Sequence, residues 1–168
     1  MPSDVVQIVC DYRTCEFTTL SNGSPQTWPV SPLLLKDGRF LIATNIGLPQ
    51  KALNVRRNPK VSLLFSDPTG SGITVPGAIL IQGDATAEDR IVADVSSEPD
   101  LAALAETVFA RQPAGSSFMI SQLGRRLFPY YGMRLLIHVT ARRAYWWPTR
   151  DFTGPPQQIE IKELQGVV

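Results

Sequence analysis

Few residues in this chain have types and spacing suited to covalent or metal chemistry. His138 is the single histidine. One histidine cannot build a histidine-rich metal site, and a Ser–His–Asp relay would depend on it alone. It lies in Leu135-Leu136-Ile137-His138-Val139, an apolar run that reads as a strand. A structural histidine with a satisfied partner is expected there, and axial ligation of haem iron is its remaining chemical option. Cys10 and Cys15 have no second pair and match no zinc or dithiol spacing, so two free thiols are expected. No catalytic residue is assigned: Tyr130, Tyr131 and His138 sit in no pattern that fixes a role.

The composition bounds what else is possible. The chain has 168 residues, 43% of them hydrophobic and 18% charged, with a net charge of +1. That is enough for one folded domain with a core. Bulk charge gives no attraction to nucleic acid or to a membrane surface. No apolar run approaches a membrane span, and the N-terminus lacks a basic segment followed by an apolar one. The expectation is a soluble cytoplasmic protein, 1–168 being a single domain.

The elements that must position any site are mostly strands. A short helix is expected over 4–11. Thr14 to Leu20 alternates as a half-buried strand, and Asn22-Gly23 supplies the turn of a hairpin. A second strand is expected over 26–35, with Pro29 and Pro32 marking an edge or a distortion beside a site. Asp37-Gly38 turns into a third strand, Arg39 to Thr44, so the first three strands read as an antiparallel meander. Pro49 to Arg57 reads as a helix ended by Asn58-Pro59, with Ala52 and Val55 on one side and Lys51, Asn54 and Arg57 elsewhere. A fourth strand runs over 60–66, with Val61, Leu63 and Phe65 on one face, and a fifth over 73–85. Thr86-Ala87-Glu88-Asp89 and Ser97-Glu98-Pro99-Asp100 both read as helix caps. Leu101, Leu104, Ala105, Val108 and Phe109 follow at helical spacing. Another helix is expected over 117–128, a last strand over 134–146, and a short apolar alternation from Ile159 to Leu164. The pattern predicts a mainly β (α+β) protein, a small six-stranded antiparallel barrel with helices at one side and a helical insertion at about 86–128.

One stretch carries a resemblance. Trp28-Pro29-Val30-Ser31-Pro32 leads through Asp37-Gly38 to Ala43-Thr44-Asn45. Gln50-Lys51-Ala52-Leu53 follows, then Arg56-Arg57-Asn58-Pro59-Lys60-Val61-Ser62-Leu63-Leu64-Phe65. An apolar strand, a DG turn, a strand ending in Thr, a helix-opening Lys and an R-x-N-P-x-V-x-L-x-F exit resemble the pyridoxamine 5'-phosphate oxidase-like, FMN-binding split-barrel family. The likeness covers roughly residues 14–85, and Arg142 to Pro148 is similar to the family's closing strand. It implies that the barrel is a six-stranded antiparallel split β-barrel with flanking helices.

The resemblance implies a site. FMN has a dianionic phosphate, and Lys51 in the first turn of a helix would meet it with an ammonium and the positive helix end. Thr44 matches a threonine that contacts that phosphate, and Asn45 and Gln50 flank the same corner. Trp28, Pro29, Val30 and Ser31 match the strand beside the isoalloxazine ring. Gln82 lies where the family reaches the flavin, from the partner subunit of a homodimer. The family's arginine at the start of the second strand is replaced by Gln26-Thr27-Trp28, and its C-terminal Arg/His signature by Asp151 to Pro156. The vitamin B6 phosphate clamp is therefore not recognisable. The implied activity is a flavin-dependent oxidoreductase acting on a small organic molecule. A deazaflavin in place of FMN, with Arg125, Arg126 and Arg150 lining its acidic tail, is the alternative. A non-catalytic flavin- or haem-binding module is a third reading. The insertion is expected to cover the flavin or line a substrate pocket.

Overall fold

Two turns set the strand pattern. Asn22 and Gly23 both have positive φ, 51° and 82°, as a two-residue hairpin turn requires. They join β1 (Cys15–Ser21) to β2 (Ser24–Val30), paired from Cys15↔Val30 to Ser21↔Ser24. At the second turn Gly38 has φ 80°, and Asp37 Oδ1 accepts from the Arg39 N–H at 3.0 Å. It joins β3 (Leu33–Leu34) to β4 (Phe40–Asn45). The computed structural model describes residues 2–12, 15–66, 77–93, 98–111, 122, 133–149 and 153–162.

The remaining elements are α1 (Pro2–Asp11), α2 (Gln50–Arg57), β5 (Lys60–Phe65), β6 (Ala78–Ala87), α3 (Pro99–Arg111), β7 (Arg134–Trp147) and β8 (Gln157–Ile159). The strands form one antiparallel sheet in the order β2-β1-β5-β6-β7-β4-β3, and β8 pairs with β7. The sheet curls into a half-barrel, consistent with a split barrel. Its concave face is the main core. Phe17, Leu63, Ile81 and Ala144 form one buried row across four strands, and α1 adds Val5, Ile8, Val9 and Tyr12. Tyr12 packs edge-on against Phe65 with centroids 5.6 Å apart.

Several expectations are corrected. Among the described residues there are eight strands rather than six. The expected strand over 26–35 breaks after Val30, before Ser31-Pro32, because proline donates no hydrogen bond to a ladder. Its two pieces, β2 and β3, then stand at opposite edges of the sheet. The first three strands are therefore not a meander, since β4 pairs with β3 and β7. The edge position expected from the prolines does hold for β2. Helix α2 starts at Gln50, with Pro49 as its N-cap residue. Thr86 and Ala87 do not cap a helix; they continue β6 and pair with His138 and Ile137. The final alternation contributes the short β8, while Leu164 lies outside the described residues.

Helix α3 matches the spacing seen from Leu101. Leu101 and Leu104 pack with Leu35, Leu41 and Leu136 in a second, smaller core. Leu41 and Leu136 alternate with Phe40, Ile42, Leu135 and Ile137 of the main core. Alternation along a strand puts them on the opposite face of the sheet. The described part of the insertion thus covers the convex side of β4 and β7. The helix expected over 117–128 lies outside the described residues, Gln122 excepted.

Candidate cofactor site

The site is built where β2, the end of β4 and the start of α2 meet. Thr44, at 3% exposure, donates its hydroxyl to the Leu48 carbonyl at 3.1 Å. Asn45 closes the same turn: its Oδ1 accepts from the Gly47 N–H at 2.7 Å and its carbonyl from Leu48 N–H at 3.0 Å. The turn delivers the chain to Pro49 and α2. The N-cap residue, Pro49, gives this helix no side-chain cap, and no acid lies in its first turn. The N–H groups that open a helix have no intrahelical partner, so its start remains an electropositive donor set.

Lys51 occupies that first turn. Its Nζ sits 5.7 Å from the centroid of the Trp28 ring on β2, within cation–π range. No carboxylate pairs with it among the described residues. Burial pushes its ammonium below the ordinary lysine range, because the charged form loses hydration. A desolvated cation without an anion partner, at an uncapped helix start and against an indole face, suits a phosphate joined to a planar ring.

The other expected residues divide by position. Gln50 donates its side-chain amide to Asn54 Oδ1 at 2.7 Å. Pro29 is exposed, Ser31 is half-buried, and Val30 places its side chain in the main core. Any part Val30 plays towards a ring therefore falls to its backbone. β2 is an edge strand, so one row of its backbone groups faces away from β1.

Gln82 stands apart. Trp28 belongs to the inward row through Phe17, Leu63 and Ile81. Gln82 is next to Ile81 in β6 and points to the other face, in line with Thr18, Ser62 and Arg143. The sheet itself lies between Gln82 and the Lys51–Trp28 pair, so a single chain cannot bring them to one ligand. Arg125, Arg126, Arg150, Tyr130 and Tyr131 lie outside the described residues.

Gln82 instead lines an outer cavity of about 490 Å³ with Thr18, Ser62, Lys60, Asp84 and Arg143 among its walls. A β-bulge shapes it. Gln82 pairs with Arg143 and Gly83 with Ala141, leaving Arg142 as the extra residue, so both arginines reach the convex face. Gly83 is required there, because a Cβ would lie 2.3 Å from the Thr140 carbonyl oxygen. Asp84 accepts from Lys60 Nζ at 2.6 Å and from Arg142 Nε at 2.9 Å, and these bonds hold its carboxyl below the usual range.

The sequence reading missed two features. Asn54, grouped above with the residues off the apolar side, is completely buried in a polar network. A helical polar residue carries no local mark of burial. The Arg142-Arg143 pair, continuing a strand that otherwise alternates, was the available signal for the bulge. His138, expected to be a satisfied structural histidine, has its Nε2 2.7 Å from Glu88 Oε1, while its Nδ1 is buried without a partner among the described residues.

The family whose sequence model matches residues 1–123 is described as Pyridoxamine 5'-phosphate oxidase. Among curated proteins no match is found. Among solved structures, a haem-binding protein from Mycobacterium smegmatis matches at 13% identity and TM-score 0.61, covering 98% of this chain and 59% of that one. A protein related to general stress protein 26, of the pyridoxinephosphate oxidase family, from Clostridium acetobutylicum matches at 16% identity and TM-score 0.59, covering 97% and 96%. General stress protein 26 from Bacillus anthracis matches at 17% identity and TM-score 0.55, covering 94% and 96%. At these identities the likeness is one of fold.

Proposed function

The chain belongs to the pyridoxamine 5'-phosphate oxidase family, and from that premise we propose that it binds FMN and acts as a flavin-dependent oxidoreductase on a small organic substrate. The observation that carries this reading is Lys51, a partly buried ammonium without a carboxylate partner among the described residues, held over Trp28 at the open start of α2. Lys51 and the first-turn N–H groups would hold the phosphate, and Trp28 with the free edge of β2 would flank the ring. The Thr44 hydroxyl is engaged with Leu48 as placed, so its turn to the phosphate requires giving up that bond. When bound, the flavin supplies hydride or electron transfer, and the protein supplies binding and orientation.

A homodimer fits this reading, because Gln82 can reach such a ligand only from a second copy. The convex face of β1, β5 and β6 has Leu20, Leu64 and Leu80 half-buried, flanked by Thr18, Ser62 and Gln82. That mixture of apolar centre and polar rim suits a twofold contact. The missing vitamin B6 clamp separates the proposed substrate from pyridoxamine phosphate.

Deazaflavin and haem are the rival ligands. Haem ligation through His138 is disfavoured by its geometry, since one nitrogen faces Glu88 and the other is buried. Titration of the purified protein with FMN, a deazaflavin and haem, read by fluorescence and absorbance, tests the reading. FMN binding that is lost with Lys51→Ala supports it. Preference for the deazaflavin keeps the site and changes the cofactor. A Soret band with no flavin binding overturns it.

A further inference from the structure

Asn54 is fully buried and makes more polar contacts than helix packing requires. Its Nδ2 donates to Thr19 Oγ1 on β1 at 3.0 Å and to Gln26 Oε1 on β2 at 3.0 Å. Its Oδ1 accepts from Gln50 Nε2 at 2.7 Å. Both amide protons and the oxygen are thereby used, and Thr19 is itself buried. An apolar residue of the same volume would fill this position without the desolvation cost, so the network specifies a geometry rather than adding bulk stability.

That geometry is the register of α2 on the first hairpin. Asn54 follows Lys51 by three residues, on a neighbouring helix position about 4.5 Å along the axis. Gln26 precedes Trp28 by two residues on the same strand face, about 6.8 Å away. Two contacts therefore run side by side between α2 and β2: Asn54 with Gln26, and Lys51 with Trp28. We propose that Asn54 is a positioning residue that pins α2 in register on the β1–β2 hairpin, so that Lys51 is held over Trp28 and presented to a ligand's anionic group. The identity of that ligand rests on the flavin reading; the positioning does not.

The test uses Asn54→Leu, with Gln26→Leu as a milder variant at the rim of the network. Lys51 is titrated by NMR at its ε-carbon, and FMN and riboflavin affinities are compared. In Asn54→Leu the Lys51 midpoint is expected to rise towards the ordinary lysine value as the ammonium regains water. The preference for FMN over riboflavin is expected to fall about tenfold, while riboflavin affinity stays within about twofold. Gln26→Leu moves both readouts in the same direction by less, which preserves the test if Asn54→Leu does not fold. An unmoved Lys51 midpoint in the folded variants overturns the proposal. A moved midpoint in a protein that shows no FMN preference even as wild type upholds the positioning role and overturns the flavin reading instead.

Discussion

The Lys51 Nζ lies 5.7 Å from the centroid of the Trp28 ring, joining the first turn of α2 to the edge strand β2. A cation–π contact at a partly exposed site is worth about 0.5–1 kcal/mol. That is small beside a charge-assisted bond to phosphate. Lys51→Ala is therefore expected to weaken FMN binding by about 1.5–3 kcal/mol. Trp28→Leu should cost less through the phosphate and more through the ring. Paired titrations with FMN and riboflavin separate the two losses, and an unchanged FMN dissociation constant in Lys51→Ala counts against this placement of the phosphate.

The same lysine predicts a pH dependence. Burial holds its folded-state value below the ordinary one. Between the two values the unfolded chain binds more protons than the folded one, so without ligand the fold gains stability as pH rises through that window. Ligand binding runs the other way, because a phosphate needs the charged form. FMN affinity should fall as pH rises through the lowered Lys51 value, before an ordinary lysine would deprotonate. Riboflavin binding should show no such fall, and an equal fall for both ligands would assign the effect to another group.

Glu88 predicts the acid limb. Burial pushes its carboxyl up, but the bonds from His138 and Arg90 outweigh this and hold it below the usual glutamate range. A depressed carboxylate stabilises above its unfolded value, and the contribution is lost as pH falls through the folded one. Glu88→Gln should therefore lower stability near neutral pH, by no more than about 1 kcal/mol because exposed bonds are screened by solvent. The difference from wild type should vanish on acidification. Thermal unfolding across pH 3–8 (roughly the carboxylate range and its flank) would expose a pH-independent loss, which this account does not allow.

Gly83→Ala is expected to destabilise the fold by about 1–3 kcal/mol, because the added methyl meets backbone that cannot swing aside. The clash is with the Thr140 carbonyl oxygen, 2.3 Å from the built Cβ. Denaturant titration measures this, and an unchanged midpoint would mean that β7 relaxes without cost.

Leu80→Glu tests the convex face. Leu80 pairs with Leu64 there, half-buried in the single chain. At the centre of the proposed twofold contact a charge would face its own copy as well as lose water. Sedimentation should show a monomer with weakened FMN binding. A dimer that persists with full affinity would place the contact elsewhere.

Local signals in the chain decided much of the framework. Asn22-Gly23 and Asp37-Gly38 dictated two turns through positive φ, and the alternation of Val61, Leu63 and Phe65 dictated which face of β5 is buried. The same stretch placed Lys51 at a helix start, because proline and the following residues encode that geometry locally. The partners across the sheet are not encoded that way. Pro29 and Pro32 marked an edge or a distortion in the strand expected over 26–35, but its break after Val30, and which strands β2 and β3 would join, depended on closing the curled sheet, a contact between distant segments. Tertiary packing alone put Trp28 beneath Lys51, buried Asn54 against Thr19, and set Gln82 on the far side of the sheet. Periodicity assigns a residue to a face of its own element, but what that face meets is determined by how the elements pack together.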